Sequence, residues 1–123
     1  MKKYTQSHEW IEVTDGVATI GISEHAQEQL GDIVYVDLPG EGDALSKGDT
    51  LCSIESVKSA NDVYTPVSGE VVEANSALED TPETINESAE SEGWICKIKV
   101  SDESELEGFM SLDEYKKMVE SEE

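Results

Sequence analysis

Lys58 is the residue whose setting most invites chemistry. The stretch from Leu51 to Val71 reads as two short β-like runs meeting at this lysine, approached through Lys47-Gly48-Asp49 and left through Pro66 and Gly69. The pattern predicts a central hairpin over about residues 47–71 with Lys58 at its turn. Between Lys47 and Lys97 it is the only basic residue, in surroundings crowded with carboxylates. An enzyme reading this surface meets one accessible amine. The tip Ser56-Val57-Lys58-Ser59 lacks the Gly or Asn of a two-residue primed turn, which predicts a type I turn or a slightly longer loop. The plainer reading of such a lysine is that it solubilises and blunts an exposed hairpin.

Other chemistry-bearing residues form weaker constellations. His8-Glu9 opens like a zinc-protease helix motif, but Glu12 stands where the second histidine belongs, and His25 is distant in sequence. No metal site is predicted. Cys52 and Cys96 lie far apart in strand-like runs without CxxC spacing and read as buried free thiols of a reducing compartment, not as a disulfide, a zinc site or a nucleophile. Gly40-Glu41-Gly42 lacks the further glycines of a phosphate loop and is surrounded by acid. No catalytic residues and no intrinsic enzymatic activity are expected.

The lysine hairpin resembles the attachment site of lipoyl and biotinyl carrier domains. Biotin carriers set the lysine between methionines, whereas Glu55-Ser56-Val57-Lys58-Ser59 looks like the lipoyl version, specifically that of the glycine cleavage system H-protein family. Ser7-His8-Glu9-Trp10, Ala18-Thr19-Ile20-Gly21-Ile22, the run Ala26 to Pro39, Gly93-Trp94 and the amphipathic C-terminus extend the resemblance over essentially the whole chain. It implies covalent lipoate on Lys58 as N6-lipoyllysine. It also implies a swinging-arm carrier of one-carbon metabolism, which takes an aminomethyl group from glycine at the pyridoxal-phosphate glycine decarboxylase (P protein). The tetrahydrofolate-dependent aminomethyltransferase (T protein) then receives the carbon, and dihydrolipoamide dehydrogenase (L protein) reoxidises the arm.

A lipoylating enzyme is the fourth implied partner. The resemblance further implies that the loaded arm folds back near Ser7, Glu9 and Asp62; the plainer alternative is that Ser7 caps a turn while Glu9 and Asp62 are solvated acids. Two alternative functions stand beside the carrier: an H-like lipoyl relay or storage protein, and a non-lipoylated β-rich interaction module. The sequence departs from the family pattern in lacking a Pro-Tyr or similar pair before Gly93-Trp94, and in its unusual acidity.

Composition narrows the partners. The chain has 123 residues, read as one domain over 1–123, and a formal net charge of −21. Its eight basic residues are all lysine. With no arginine fork and no basic patch, nucleic acid and anionic membrane surfaces are excluded as partners. The acidity suits steering toward basic docking faces, or equally a surface adapted to high salt. No apolar run is long enough for a membrane span, and Met1-Lys2-Lys3 is not followed by an apolar signal region. With no presequence visible, a prokaryotic cytoplasmic location is expected.

The elements that must position Lys58 read as mostly β. Trp10–Val13 and Val17–Ile22 form a hairpin turning at Asp15-Gly16. Ser23 caps a short helix that stops at Gly31. Strands follow over Ile33–Leu38, through the central hairpin, over Val71–Ala74 and over Trp94–Val100. The segment from Asn75 to Gly93 reads as an excursion over the surface, with a helix after Thr81 running toward Ser88. Ser104 to Glu120 shows helical spacing, and Glu120 to Glu123 is expected to fray. The predicted architecture is a β-sandwich or flattened barrel, a lipoyl-domain-like barrel-sandwich hybrid, with short peripheral helices and a C-terminal helix.

Overall fold

The computed structural model describes residues 2–122, without the side chain of Glu122. In chain order its elements are β1 (Lys3–Tyr4), β2 (Glu9–Thr14), β3 (Val17–Ile22), α1 (Glu24–Leu30), β4 (Ile33–Asp37), β5 (Ala44–Leu45), β6 (Thr50–Ser56), β7 (Ala60–Tyr64) and β8 (Gly69–Ala74). There follow α2 (Ala77–Asp80), α3 (Thr84–Ser88), β9 (Cys96–Val100), a 3-10 turn over Glu103–Leu106, and α4 (Leu112–Glu122).

The strands form two antiparallel sheets, not a closed barrel. One has the order β1-β2-β3-β9-β8-β5 and the other β4-β6-β7. Both expected local devices are present. Asp15 (φ 52°) and Gly16 (φ 78°) are both left-handed, as a primed hairpin turn requires. Ser23 Oγ accepts the Ala26 N–H at 3.1 Å, and Gly31 (φ 80°) ends the helix.

Alternation explains how the sheets pack. In β9, Cys96 and Ile98 are buried, whereas Lys99 is exposed. Ile11, Ile20, Val71 and Ile98 of the larger sheet share one core with Val36, Cys52, Ile54 and Val63 of the smaller. Trp10 instead joins Tyr4 and Tyr115 in a second cluster on which α4 packs. Its indole lies over Gly21, the residue opposite it in β3, where an added Cβ would come within 2.7 Å of Nε1.

Two expectations need correction. The segment between Asn75 and Gly93 does not merely cross the surface. The helix expected after Thr81 is present as α3, but α2 precedes it, and Leu78, Ile85 and Ala89 are fully buried in the main core. Widely spaced single apolar residues in an acidic stretch present no periodicity, yet three of them suffice to anchor two one-turn helices. The C-terminus also departs from expectation over its described residues, because α4 continues through Glu120 and Ser121 to Glu122; Glu123 lies outside the described residues. Tyr115 is buried, with Met118 and Val119 packed beside it, so tertiary contact holds a helix whose last residues are poor in local signals.

Candidate functional site

The hairpin of β6 and β7 presents Lys58 at its turn. Ser56 N–H donates to the Ser59 carbonyl at 2.8 Å, while Ser56 Oγ accepts from the Lys58 and Ser59 N–H groups, each at 3.2 Å. One serine thus ties three backbone groups of the turn. Neither Val57 nor Lys58 has a positive φ, which rules out a primed turn and leaves the expected type I turn or slightly longer loop. The tip also leans on the rest of the protein. Val57 N–H donates to the Asp32 carbonyl at 3.0 Å. The Lys58 stem runs beside Gly31, where an added Cβ would sit 3.3 Å from Lys58 Cε. Lys58 remains exposed. An amine on a long stem is therefore held on a rigid base and stays open to a partner.

Ser7, Glu9 and Asp62 meet in a single cavity of about 220 Å³. Glu9 comes from β2 of the larger sheet and Asp62 from β7 of the smaller, and Ser7 lies in the turn between β1 and β2. His8, His25 and Asn61 add polar atoms to the wall, and Ile22, Leu30 and Val63 make the rest apolar. Leu30 immediately precedes the Gly31 on which the Lys58 stem rests. Lysine and cavity therefore share the C-terminal turn of α1.

Within that cavity the two carboxylates differ. Asp62 is exposed, as is Ser7, but Glu9 is only 4% exposed. The solvated-acid alternative fails for Glu9. Burial pushes its carboxyl up to about 7, partly offset by the Thr5 hydroxyl, which donates to Oε1 at 2.7 Å. Glu9 and Ser7 also line a second cavity, of about 330 Å³, that opens on the other side toward Lys47, Tyr64 and Phe109.

Sequence reasoning missed the residues that hold Ser7 and Glu9 in place. His8, between them, is in the left-handed region at φ 70°, a costly conformation for a residue with a Cβ. Its N–H donates to the Thr5 carbonyl at 3.2 Å, and its carbonyl accepts the Ser23 N–H at 2.9 Å. Its Nδ1 lies 2.7 Å from the Tyr115 hydroxyl, which is also 2.6 Å from Ser23 Oγ. The C-terminal helix thereby pins the turn that carries two cavity residues. No local signal links Tyr115 to His8, because the contact spans almost the whole chain.

Both cysteines are buried and free, in keeping with their reading as inert core thiols. Burial raises both thiols, Cys96 to about 12, so neither is a thiolate nucleophile at neutral pH. Among the described residues no three His, Cys, Asp or Glu side chains gather into a metal-binding group, and no helix is long and apolar enough to cross a membrane.

The model of the glycine cleavage H-protein family matches residues 2–122. The glycine cleavage system H protein of Thermotoga maritima is 53% identical over 99% of this chain and 98% of its own. That of Staphylococcus epidermidis is 50% identical over 95% of this chain and 93% of its own. The crystal structure of a glycine cleavage system H protein from Mycobacterium marinum superimposes with a TM-score of 0.89 at 33% identity, covering 97% of this chain and 96% of that one. On a match of this extent in both sequence and fold, the chain belongs to the glycine cleavage H-protein family, a family of carriers and not of catalysts.

Proposed function

We propose that this protein is the lipoyl-bearing carrier of glycine cleavage, loaded on Lys58 and passed in turn among the P, T and L proteins. The observation that carries the reading is the shared position of the exposed Lys58 stem and the Ser7, Glu9 and Asp62 cavity at one turn of α1. The residues present fit a lipoyl group. Lys58 offers an exposed primary amine for an amide bond, and the cavity beside it has apolar walls suited to a carbon chain together with carboxylates suited to a cation.

What the lipoyl group supplies when bound is a reversible disulfide at a reach no side chain attains. The chain's own residues supply the rest. Ser56 and Asp32 fix the base of the arm. Glu9 and Asp62 provide negative charge for a tethered ammonium, Ser7 provides a hydroxyl, and the apolar wall flanks the carbon chain of the arm. A cation entering the cavity favours ionised Glu9, so loading and deprotonation reinforce one another. Burial raises the Glu9 carboxyl to about 7 in the empty cavity, and a bound cation would lower it again. Tethering raises the effective concentration of cargo at each successive enzyme. The free buried thiols are compatible with action in a reducing prokaryotic cytoplasm.

The test is intact-mass and peptide analysis of protein from lipoate-competent cells, followed by reconstitution with the P, T and L proteins. A lipoyl adduct on Lys58 and glycine-dependent NADH formation are expected. An adduct without NADH formation, combined with lipoyl transfer to other apo-carriers, would replace this reading with the relay. Absence of any adduct would leave the interaction module.

A further inference from the structure

We infer that Asn86 is a positioning residue for the Lys58 hairpin, acting through a bracket of hydrogen bonds around Asp32. The inference rests on the reading of Lys58 as the acylated lysine, and the hydrogen bonds of Asn86 go to Gln27, Gly31 and Ile33, not to that lysine. Its side-chain amide donates to the Gly31 carbonyl at 2.8 Å and to Gln27 Oε1 at 3.0 Å, and its Oδ1 accepts the Ile33 N–H at 2.8 Å. One side chain from α3 thus grips the backbone on both sides of Asp32.

This corner needs such a grip. Helix α1 ends at Gly31, and the pairing of β4 with β6 slips between Ile33 and Tyr35, so a regular ladder does not carry the connection. The two surfaces that support the tip lie within the bracket. The Asp32 carbonyl accepts the Val57 N–H at 3.0 Å, and Gly31 carries the Lys58 stem. Asn86 therefore decides how firmly, and in which direction, the amine is presented.

Acylation of that amine depends on direction. With a lipoyl adenylate as donor, Nζ attacks the acyl carbon, an amide bond forms, the bond from that carbon to the nucleotide phosphate oxygen breaks, AMP departs, and the amine loses a proton. The lipoylating enzyme positions the acyl carbon, and the hairpin must deliver Nζ along the line of attack. A loosened corner leaves the amine just as nucleophilic but worse aimed.

The experiment compares wild type, Asn86→Ala and Asn86→Asp. Amide hydrogen exchange at Val57 is read beside Ile20 and Ile98 of the larger sheet. Lys58 acylation is measured twice, by a lipoate-protein ligase with lipoyl adenylate and by N-hydroxysuccinimidyl acetate. Asn86→Ala should speed Val57 exchange at least tenfold while changing Ile20 and Ile98 less than twofold. It should lower enzymatic kcat/KM at least tenfold and leave chemical acetylation within twofold. Asn86→Asp keeps the acceptor for Ile33 N–H but sets a carboxylate oxygen against the Gly31 carbonyl, so it should lose at least as much as Asn86→Ala. Should Asn86→Ala fail to fold, the Asp variant carries the same comparison. Unchanged Val57 exchange, an equal loss at Ile20 and Ile98, or unchanged enzymatic kcat/KM would overturn the inference. Wild type that takes no lipoyl group on Lys58, with Val57 exchange still responding to Asn86, would overturn the acylation role and leave the bracket standing.

Discussion

Glu9 and Asp62 reach one cavity from opposite sheets, Glu9 buried at the start of β2 and Asp62 exposed in β7. The same chemical group thus has two environments within a few side chains of one another. If the cavity holds a cationic amine against water, removing either charge should speed spontaneous loss of formaldehyde and ammonia from protein carrying the one-carbon unit. Glu9→Gln should accelerate that loss more than Asp62→Asn, since a charge-assisted hydrogen bond is stronger where water is excluded. Equal, wild-type rates in both variants, followed by formaldehyde trapping, would remove the cavity from the mechanism.

Glu9 should also leave a signature in stability. Its carboxyl is held protonated up to about 7, against an ordinary value of 4.5. Below the ordinary value, native and unfolded chains are both protonated and Glu9 costs nothing. As pH rises from about 4.5 to about 7, the unfolded chain releases this proton while the native chain keeps it, so native stability falls, then levels off above 7. The full cost is of the order of 3 kcal/mol. Denaturant unfolding of wild type and Glu9→Gln should show the variant gaining relative stability between pH 5 and pH 8. A pH-independent difference would contradict the burial argument.

Lys58→Arg should abolish the lipoyl adduct and glycine-dependent NADH formation, because a guanidinium does not replace the amine in amide formation. Stability should stay within about 0.5 kcal/mol, as for exposed substitutions generally. Intact mass and a thermal melt check both halves. An adduct surviving at Lys47 or elsewhere would move the site.

Gly21→Ala should destabilise the protein by roughly 1–3 kcal/mol through overpacking. The added Cβ would press within 2.7 Å of Trp10 Nε1, whose N–H donates to the Ala89 carbonyl at 2.9 Å. The displaced indole should give a red-shifted tryptophan emission together with a lower denaturant midpoint. An unchanged midpoint would show that the indole can shift at no cost.

Much of the architecture was legible because its signals are local. Asp15-Gly16 specifies a hairpin turn through the φ it tolerates, Ser23 and Gly31 bound a helix through its unpaired backbone groups, and alternation in the run to Val100 marks a strand. Lys58 stood out for the same reason, a lone amine between punctuated β runs. Ser7, Glu9 and Asp62 were named only through family resemblance, since nothing in their own surroundings distinguishes them from solvated polar residues.

What sequence alone determined, then, are the longer strands, the turns between them and the place of the lysine among them, because backbone preference and periodicity act over a few residues; the two-residue strands β1 and β5 carry no such signal. Tertiary structure decided which side chains meet. It buried Glu9 and left Asp62 exposed, drew Leu78 and Ile85 of an acidic stretch into the core, and joined Tyr115 to His8 and Asn86 to the corner beneath Val57. Each of these depends on two distant segments being brought together, and dielectric environment and hydrogen-bond partners exist only once the sheets have closed on each other.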